Sequence, residues 1–363
     1  MKYYKLNDGN EIPALGFGTY KITDRNDMAN AIEAFFENSY EYLDTAKIYN
    51  NEKMIGEELK NSGQKRNEYK IATKVWPSDF GYDKTKKSIE ESLEKLQTDY
   101  LDVVLLHWFG KDFEKSWKVF EDYKRQGIVK TIGVSNFELA QLKKLLEIGE
   151  KPAIDQLESS PHFQNDETVR FLKENNIIHQ AWSPIARGRS ELLEEFVIKK
   201  LSSKYNKTPA QIVLRWHIER GSMPIPKSTN PKRIKENIEI FDFSLDEKDL
   251  KAIKSIDLKK RYSSDPEDEN WLKELLNRIW KIKILQINLQ NFFMGHIVWF
   301  LFYLFSKISF ISSSFIPTIA SPRSFETSKI ISGLSKFSTA FTIAFALFSG
   351  FPDLKIPLPT KTP

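Results

Sequence analysis

The 363-residue sequence contains no cysteine. Disulfides, thiolate metal sites, iron–sulfur clusters and cysteine nucleophiles are therefore excluded. Histidine is also scarce, with five residues at His107, His162, His179, His217 and His296. No two of these stand at the short spacing of a zinc-binding pair, so we expect no metal centre.

The sequence also lacks a large excess of one charge. Residues 1–280 hold 46 basic and 47 acidic residues (net −1), and residues 281–363 hold 8 and 2 (net +6), which together give the net charge of +5. A near-neutral body lacks the basic surface that a phosphate backbone requires, so we expect no nucleic-acid partner.

The first residues carry Asn7, Asp8, Asn10 and Glu11 where a secretion signal needs an apolar run, which predicts a cytoplasmic location.

Eight apolar runs of strand length alternate with segments of helical spacing. The runs begin near residues 14, 41, 69, 101, 128, 153, 177 and 223. Such strands are typical of a parallel sheet covered by helices. Eight units in about 250 residues favour a closed (β/α)8 barrel.

An open doubly wound sheet is the alternative fold. Its glycine-rich dinucleotide turn is not matched, because Gly16-Phe17-Gly18 runs into Thr19 and Tyr20 without a third glycine. Before the first barrel strand, the Asp8-Gly9 turn between two short apolar pieces predicts a β-hairpin that closes the barrel floor.

Three consecutive strands end in ionisable residues, at Asp44, Lys74 and His107, and Tyr49 follows Asp44 by five positions. Taken singly, each fits a structural ion pair or a core histidine, but a barrel brings strand ends together at one face. An ammonium near a tyrosine favours the ionised phenol, so Tyr49 is the candidate proton donor to a developing alkoxide. Asp44 would hold the Lys74 ammonium, and His107 would orient a substrate carbonyl.

Proton donation to an alkoxide requires a hydride source, which no side chain provides but a nicotinamide cofactor does. Amides suit its carboxamide, an aromatic ring suits its nicotinamide, and a Lys/Ser/Arg cluster before a helix suits a phosphate. The candidates after later strands are Ser135, Asn136, Gln156, Trp182, Ser183, Lys227, Ser228, Arg233, Glu236 and Asn237. Tyr20, Trp76 and Trp108, together with His107, would line a pocket for a substrate with an apolar portion, although barrel-rim packing is the alternative for these aromatic rings.

These motifs resemble the aldo-keto reductases over roughly residues 3–266. They are GFGTY, YLDTAKIYNNE, IATKVW, LLHW, GVSNF, QLESSP, AWSP and IPKSTNPKRIKEN. The resemblance implies a (β/α)8 barrel that reduces an aldehyde or ketone with Tyr49 as general acid. The implied catalytic tetrad is Asp44, Tyr49, Lys74 and His107. The chain departs from the family pattern at Phe109, Ser159, Ser160 and Trp182.

The resemblance also implies NADPH, bound in extended form without a Rossmann domain. The implied carboxamide contacts are Ser135, Asn136 and Gln156, and the ring would lie against Trp182. The implied 2′-phosphate contacts are Lys227, Ser228 and Arg233, with Glu236 and Asn237 near the adenine. The basic pair favours NADPH over NADH.

Residues 1–280 are predicted to form the barrel, as a monomer or weak dimer. Residues 281–363 hold 13 of the 26 Phe and form an extension of different composition. Its few acidic residues and its Phe, Ser and Ile content favour a disordered extension or a translation artefact. Membrane association, suggested by the uncharged runs at 284–306 and 337–352, and a packed appendage are the alternatives. A non-catalytic, nucleotide-binding regulatory barrel, tethered to a membrane by this extension, is the alternative function.

Overall fold

The computed structural model describes residues 2–268 together with residues 270 and 274. The strands of this part are β1 (Tyr3–Lys5), β2 (Glu11–Pro13), β3 (Phe17–Gly18), β4 (Tyr42–Asp44), β5 (Lys70–Val75), β6 (Leu101–Leu106), β7 (Val129–Ser135), β8 (Ile154–Glu158), β9 (Ile178–Trp182) and β10 (Met223–Pro224).

Its α-helices are α1 (Arg25–Glu37), α2 (Glu52–Asn61), α3 (Tyr82–Leu96), α4 (Phe113–Arg125), α5 (Leu139–Ile148), α6 (Asp166–Glu174), α7 (Ser190–Leu193), α8 (Phe196–Tyr205), α9 (Pro209–Glu219), α10 (Pro231–Ile238) and α11 (Glu247–Lys254). Short 3₁₀ helices lie at Lys47–Tyr49, Arg66–Glu68, Pro77–Asp79 and Ala186–Gly188.

Strands β3 to β10 form one parallel sheet in which each strand pairs with the next along the chain. The first and last strands meet where Gly16 N donates to Pro224 O and Gly18 N donates to Pro226 O, both at 3.0 Å. This seam closes the sheet into the predicted (β/α)8 barrel. The open doubly wound alternative is excluded, because its strand order reverses at a switch point.

The predicted hairpin is also present, since β1 and β2 pair antiparallel. Gly9 adopts a φ of +89° in the connecting turn, a conformation that favours glycine. Leu6 and Ile12 of the hairpin belong to the same buried cluster as Tyr42 and Met223 from the barrel strands. The hairpin therefore covers the floor of the barrel.

Helix boundaries follow local chemistry. Asp24 caps α1 by accepting from the backbone N–H groups of Asn26 and Asp27, and Thr208 forms a capping box with Gln211 at α9. Gly127 lies one residue beyond the C-cap of α4 and has a φ of +75°, a conformation that favours glycine.

Strand alternation decides which side chains reach the barrel interior. In β4, Tyr42 packs in the interior cluster, so Asp44 two residues later faces inward at the carboxyl end. In β5, Ala72 pairs with Asp44 in the parallel register. Lys74, two residues after Ala72, therefore also faces inward at the carboxyl end. The strand pattern thus places ionisable groups directly above an apolar floor.

Among the residues that the structure describes, no helix has the length and apolar character needed to span a membrane. The extension predicted at residues 281–363, with both of its uncharged runs, lies outside the described residues.

Candidate active site

A buried ion pair lies at the carboxyl end of β4 and β5. Lys74 Nζ donates to Asp44 Oδ1 at 2.6 Å and to Thr45 O at 2.8 Å, and it lies 3.5 Å from Tyr49 OH. Lys74 is fully buried and Asp44 is 2% exposed. Burial lowers the pKa of Lys74, and the Asp44 carboxylate opposes that shift. The pair holds one ammonium against the tyrosine hydroxyl, as the sequence predicts.

The Tyr49 side chain is placed by the turn that follows β4. Tyr49 ends a 3₁₀ helix, and Asn50 turns the chain with a φ of 56°. The buried Asn51 then anchors the turn, because its Nδ2 donates to Thr19 O at 2.9 Å. The ring of Tyr20 lies 4.9 Å from that of Tyr49 and covers it on one side.

The pKa of Tyr49 corrects one prediction from the sequence. Burial, followed by the charge of Asp44, raises the pKa of Tyr49 well above its usual value, whereas the nearby ammonium suggested a lower one. Loss of water around the phenol is the larger effect. Tyr49 therefore keeps its proton at neutral pH, which is the form that a proton donor requires.

His107 follows β6 and lies beside the tyrosine. Its ring centroid is 5.6 Å from that of Tyr49 and 5.0 Å from that of Trp76. Burial, and then the Lys74 charge, lowers the pKa of His107 well below its usual value. A neutral imidazole results, with one nitrogen able to donate a hydrogen bond. Nδ1 is buried without a partner among the described residues.

Asn136 connects several predicted cofactor residues to this centre. Its φ of 60° lies in the left-handed region that asparagine tolerates. Asn136 Nδ2 donates to His107 O and to Ser135 Oγ, each at 3.0 Å. Trp182 Nε1 donates to Asn136 Oδ1 at 2.9 Å. The predicted amide, hydroxyl and aromatic groups are therefore adjacent to the histidine.

Gln156 contacts the other side of the ion pair. Its Nε2 donates to Asp44 Oδ2 at 2.8 Å, so each oxygen of the Asp44 carboxylate has a donor. The Ser135 hydroxyl donates to Gln156 O at 2.9 Å. Ser183 has a φ of 53°, and its hydroxyl is buried without a partner among the described residues.

A second group of predicted residues lies beyond the seam, around α10. Arg233 Nε donates to Ser228 Oγ at 3.4 Å. Burial lowers the pKa of Lys227; the charge of Asp27 opposes that shift, and the charges of Arg233 and Lys21 reinforce it. Three cations close enough to affect one titration suit an anionic ligand. Gly18 packs so closely on this region that a Cβ there would lie 3.0 Å from Ile225 O.

The remaining predicted residues lie near the two groups described above, at the rim of the barrel and on α10. Glu236 and Asn237 lie on α10, where Asn237 is buried. Tyr20 is 49% exposed beside Tyr49, whereas Trp76 and Trp108 are buried. The exposed Tyr20 ring fits a pocket wall, and the two tryptophans are mostly packed in the rim. Their role in substrate binding stays a prediction.

Sequence reasoning missed three features of the site. It did not find the Thr45 carbonyl that accepts from Lys74, the Lys21 charge beside Lys227, or the buried Gln180 that contacts Gln156. Gln180 could have been found by strand alternation, because a polar residue at an inward position of β9 is unusual.

The described residues include no group of three or more His, Asp or Glu side chains placed to hold a metal ion.

Comparison with known proteins gives consistent matches. The profile of the aldo/keto reductase family matches residues 14–258. The chain is 39% identical over 266 residues to the glyoxal reductase of Bacillus subtilis (strain 168), covering 73% of this chain and 96% of that protein. It is 38% identical over 267 residues to the methylglyoxal reductase DkgA of Escherichia coli (strain K12), covering 72% and 96%. A solved aldo-keto reductase of Bombyx mori in complex with NADP aligns with a TM-score of 0.67 at 32% identity, covering 72% and 95%.

Proposed function

This chain belongs to the aldo/keto reductase family, and on that premise we propose that it reduces small aldehydes and ketones to alcohols with NADPH. The observation that carries the proposal is the buried Lys74 ammonium, held by Asp44 and directed at the Tyr49 hydroxyl beside a neutral His107. An ion pair kept only for stability would not need a tyrosine and a histidine beside it.

The polar groups around the centre fit NADPH. The cations Lys227 and Arg233, with the Ser228 hydroxyl, suit the 2′-phosphate. Asn136 and Gln156 present amide groups for the carboxamide, and the half-buried Trp182 ring suits the nicotinamide. When bound in this way, NADPH supplies the hydride of the reaction.

The protein side chains would handle the carbonyl oxygen. Neutral His107 donates a hydrogen bond to that oxygen and fixes its orientation. Tyr49 transfers its hydroxyl proton to the oxygen as negative charge develops there. Lys74, held by Asp44, then stabilises the phenolate that Tyr49 becomes. The raised pKa of Tyr49 favours transfer of a proton from solvent to the phenolate, which restores the hydroxyl for the next turnover.

The names of two relatives suggest which class of substrate to test first. One is called a glyoxal reductase and the other a methylglyoxal reductase, and both names describe the reduction of small dicarbonyls. A centre bordered by Tyr20, Trp76 and His107 suits a small carbonyl with a short apolar portion. Glyoxal, methylglyoxal and a short aromatic aldehyde are therefore the first substrates to assay.

The test is Tyr49→Phe in the full chain, with NADPH oxidation followed during reduction of methylglyoxal. Loss of the general acid should lower turnover by about 10² to 10⁴-fold while NADPH binding is retained. Tyr20→Phe is the matched control, because it removes a hydroxyl from the neighbouring ring. If the wild-type chain binds NADPH but reduces no carbonyl in the panel, the regulatory-barrel alternative replaces this proposal.

A further inference from the structure

Two glutamine side chains lie next to each other inside the barrel. Gln156 of β8 and Gln180 of β9 are direct partners in the parallel register, and both are buried. A buried primary amide with unmade hydrogen bonds costs free energy, so such pairs are normally engaged with each other or with further partners. The contacts of this pair reach the catalytic centre.

The Gln156 amide uses its nitrogen for two contacts. Nε2 donates to Asp44 Oδ2 at 2.8 Å and also to Gln180 Oε1. An NH2 group has two hydrogens, so both are committed. The Gln156 oxygen Oε1 must then point away from both acceptors. Gln180 is itself held on its far side, since its Nε2 lies 3.2 Å from Met223 Sδ.

We propose that Gln180 is a positioning residue that fixes which end of the Gln156 amide faces Asp44. An amide can rotate end for end at little cost in shape, but the rotated form would place Gln156 Oε1 against the Asp44 carboxylate. Gln180 Oε1 opposes this rotation, because it accepts only from the nitrogen end of Gln156. The correct orientation keeps a donor on Asp44 Oδ2 while Lys74 occupies Oδ1.

The same orientation matters for the cofactor. With its nitrogen committed, Gln156 offers its carbonyl oxygen to the donor side of a carboxamide. Gln180 thus has two effects without contacting a ligand. It keeps the Gln156 amide nitrogen on the Asp44 carboxylate, and it keeps the Gln156 amide oxygen directed at the carboxamide. This inference rests on the proposed reductase function.

The test uses Gln180→Met in the full chain. Methionine keeps the length and approximate volume of glutamine but removes the strong acceptor. We expect kcat for methylglyoxal to fall about tenfold, the size of one lost hydrogen bond to a charged network. NADPH affinity, measured by fluorescence, should fall as well. Affinity for adenosine 2′,5′-bisphosphate should not change, because that fragment has no nicotinamide.

A double-mutant cycle with Gln156→Met separates positioning from general stability. If Gln180 acts through Gln156, then Gln180→Met has no further effect in the Gln156→Met protein. His179→Gln is the matched control, since His179 adjoins Gln180 on the opposite face of β9 and contacts Ser222. This variant should lower the melting temperature without lowering kcat.

Two results would overturn the inference. One is an unchanged kcat and NADPH affinity in Gln180→Met, whatever its melting temperature. The other is a full effect of Gln180→Met in the Gln156→Met background. If the wild-type chain reduces no aldehyde, the proposed function fails, but the affinities for NADPH and the bisphosphate still report separately on Gln180.

Discussion

Replacing Lys74 by methionine isolates the electrostatics of the buried ion pair. Methionine retains most of the aliphatic stem but removes the ammonium, so the Asp44 carboxylate loses its counter-ion. Gln156 Nε2 remains as a donor to Oδ2. Asp44 is buried, and an uncompensated buried carboxylate takes up a proton in preference to remaining charged.

The size of the effect follows from linkage between protonation and folding. Burial raises the pKa of Asp44 above its unfolded value of 3.8, and the Lys74 ammonium opposes that rise, so we expect Lys74→Met to raise the folded-state pKa of Asp44 further. Between these values the folded protein binds more protons than the unfolded protein, so stability is present at low pH and lost as pH rises. Each pH unit by which the pH lies above the unfolded pKa, up to the raised folded pKa, costs about 1.4 kcal/mol, so the deficit should grow as the pH rises from 5 to 7.

The assay is urea denaturation of the full chain at pH 5 and pH 7, followed by tryptophan fluorescence. The quantity compared is the difference in the free energy of unfolding between Lys74→Met and wild type at each pH. Other titrating groups contribute equally to both proteins and cancel in the difference. We expect the deficit of the variant in the free energy of unfolding to be larger at pH 7 than at pH 5.

The control is the double variant Asp44→Asn with Lys74→Met, which has no ionisable group at either position. The difference in its free energy of unfolding from wild type should change far less between pH 5 and pH 7 than that of Lys74→Met. A Lys74→Met deficit that is equal at the two pH values would refute the reasoning, because Asp44 would then not be gaining a proton in the folded variant. Both variants should lack turnover.

Three further results are expected. Burial lowers the pKa of His217 to about 3, so protonation of the unfolded chain should remove about 2 kcal/mol of stability between pH 7 and pH 5; His217→Gln should abolish that part of the loss in urea titrations. Substituting Lys227 and Arg233 by alanine should raise KM for NADPH at least tenfold and leave KM for NADH nearly unchanged, as steady-state kinetics would show. Trp182→Phe keeps an aromatic ring but removes the donor to Asn136 Oδ1, so NADPH should bind several-fold more weakly in fluorescence titrations.

The architecture could be predicted from the sequence because barrel strands carry a strong local signal. The run IATKVW gives a buried strand with Lys74 at an inward position, and the structure has β5 at Lys70–Val75. The same reasoning located Asp44 and His107 at the carboxyl rim. The first barrel strand is shorter than its apolar run suggests, since β3 is only Phe17–Gly18.

The electrostatics of the site could not be predicted in the same way. The pKa direction of Tyr49 depends on how completely Tyr20 and His107 enclose it, which is a property of packed elements far apart in the chain. The contact of Gln156 with Asp44 joins residues 112 positions apart. Neither is visible from composition or spacing. The catalytic and cofactor-binding roles stay predictions until the variants are measured.

The seam of the barrel has a consequence for how the protein is made. Gly16 N and Gly18 N donate to Pro224 O and Pro226 O, so the first barrel strand, β3, cannot pair on this side until Pro224 and Pro226 have left the ribosome. Until then β3 has a free edge, and a free edge invites pairing with other chains. Contacts so distant in sequence also slow folding. During synthesis, the free edge of β3 is therefore the site most exposed to aggregation, and it is covered only when the last barrel strand, β10, has been made.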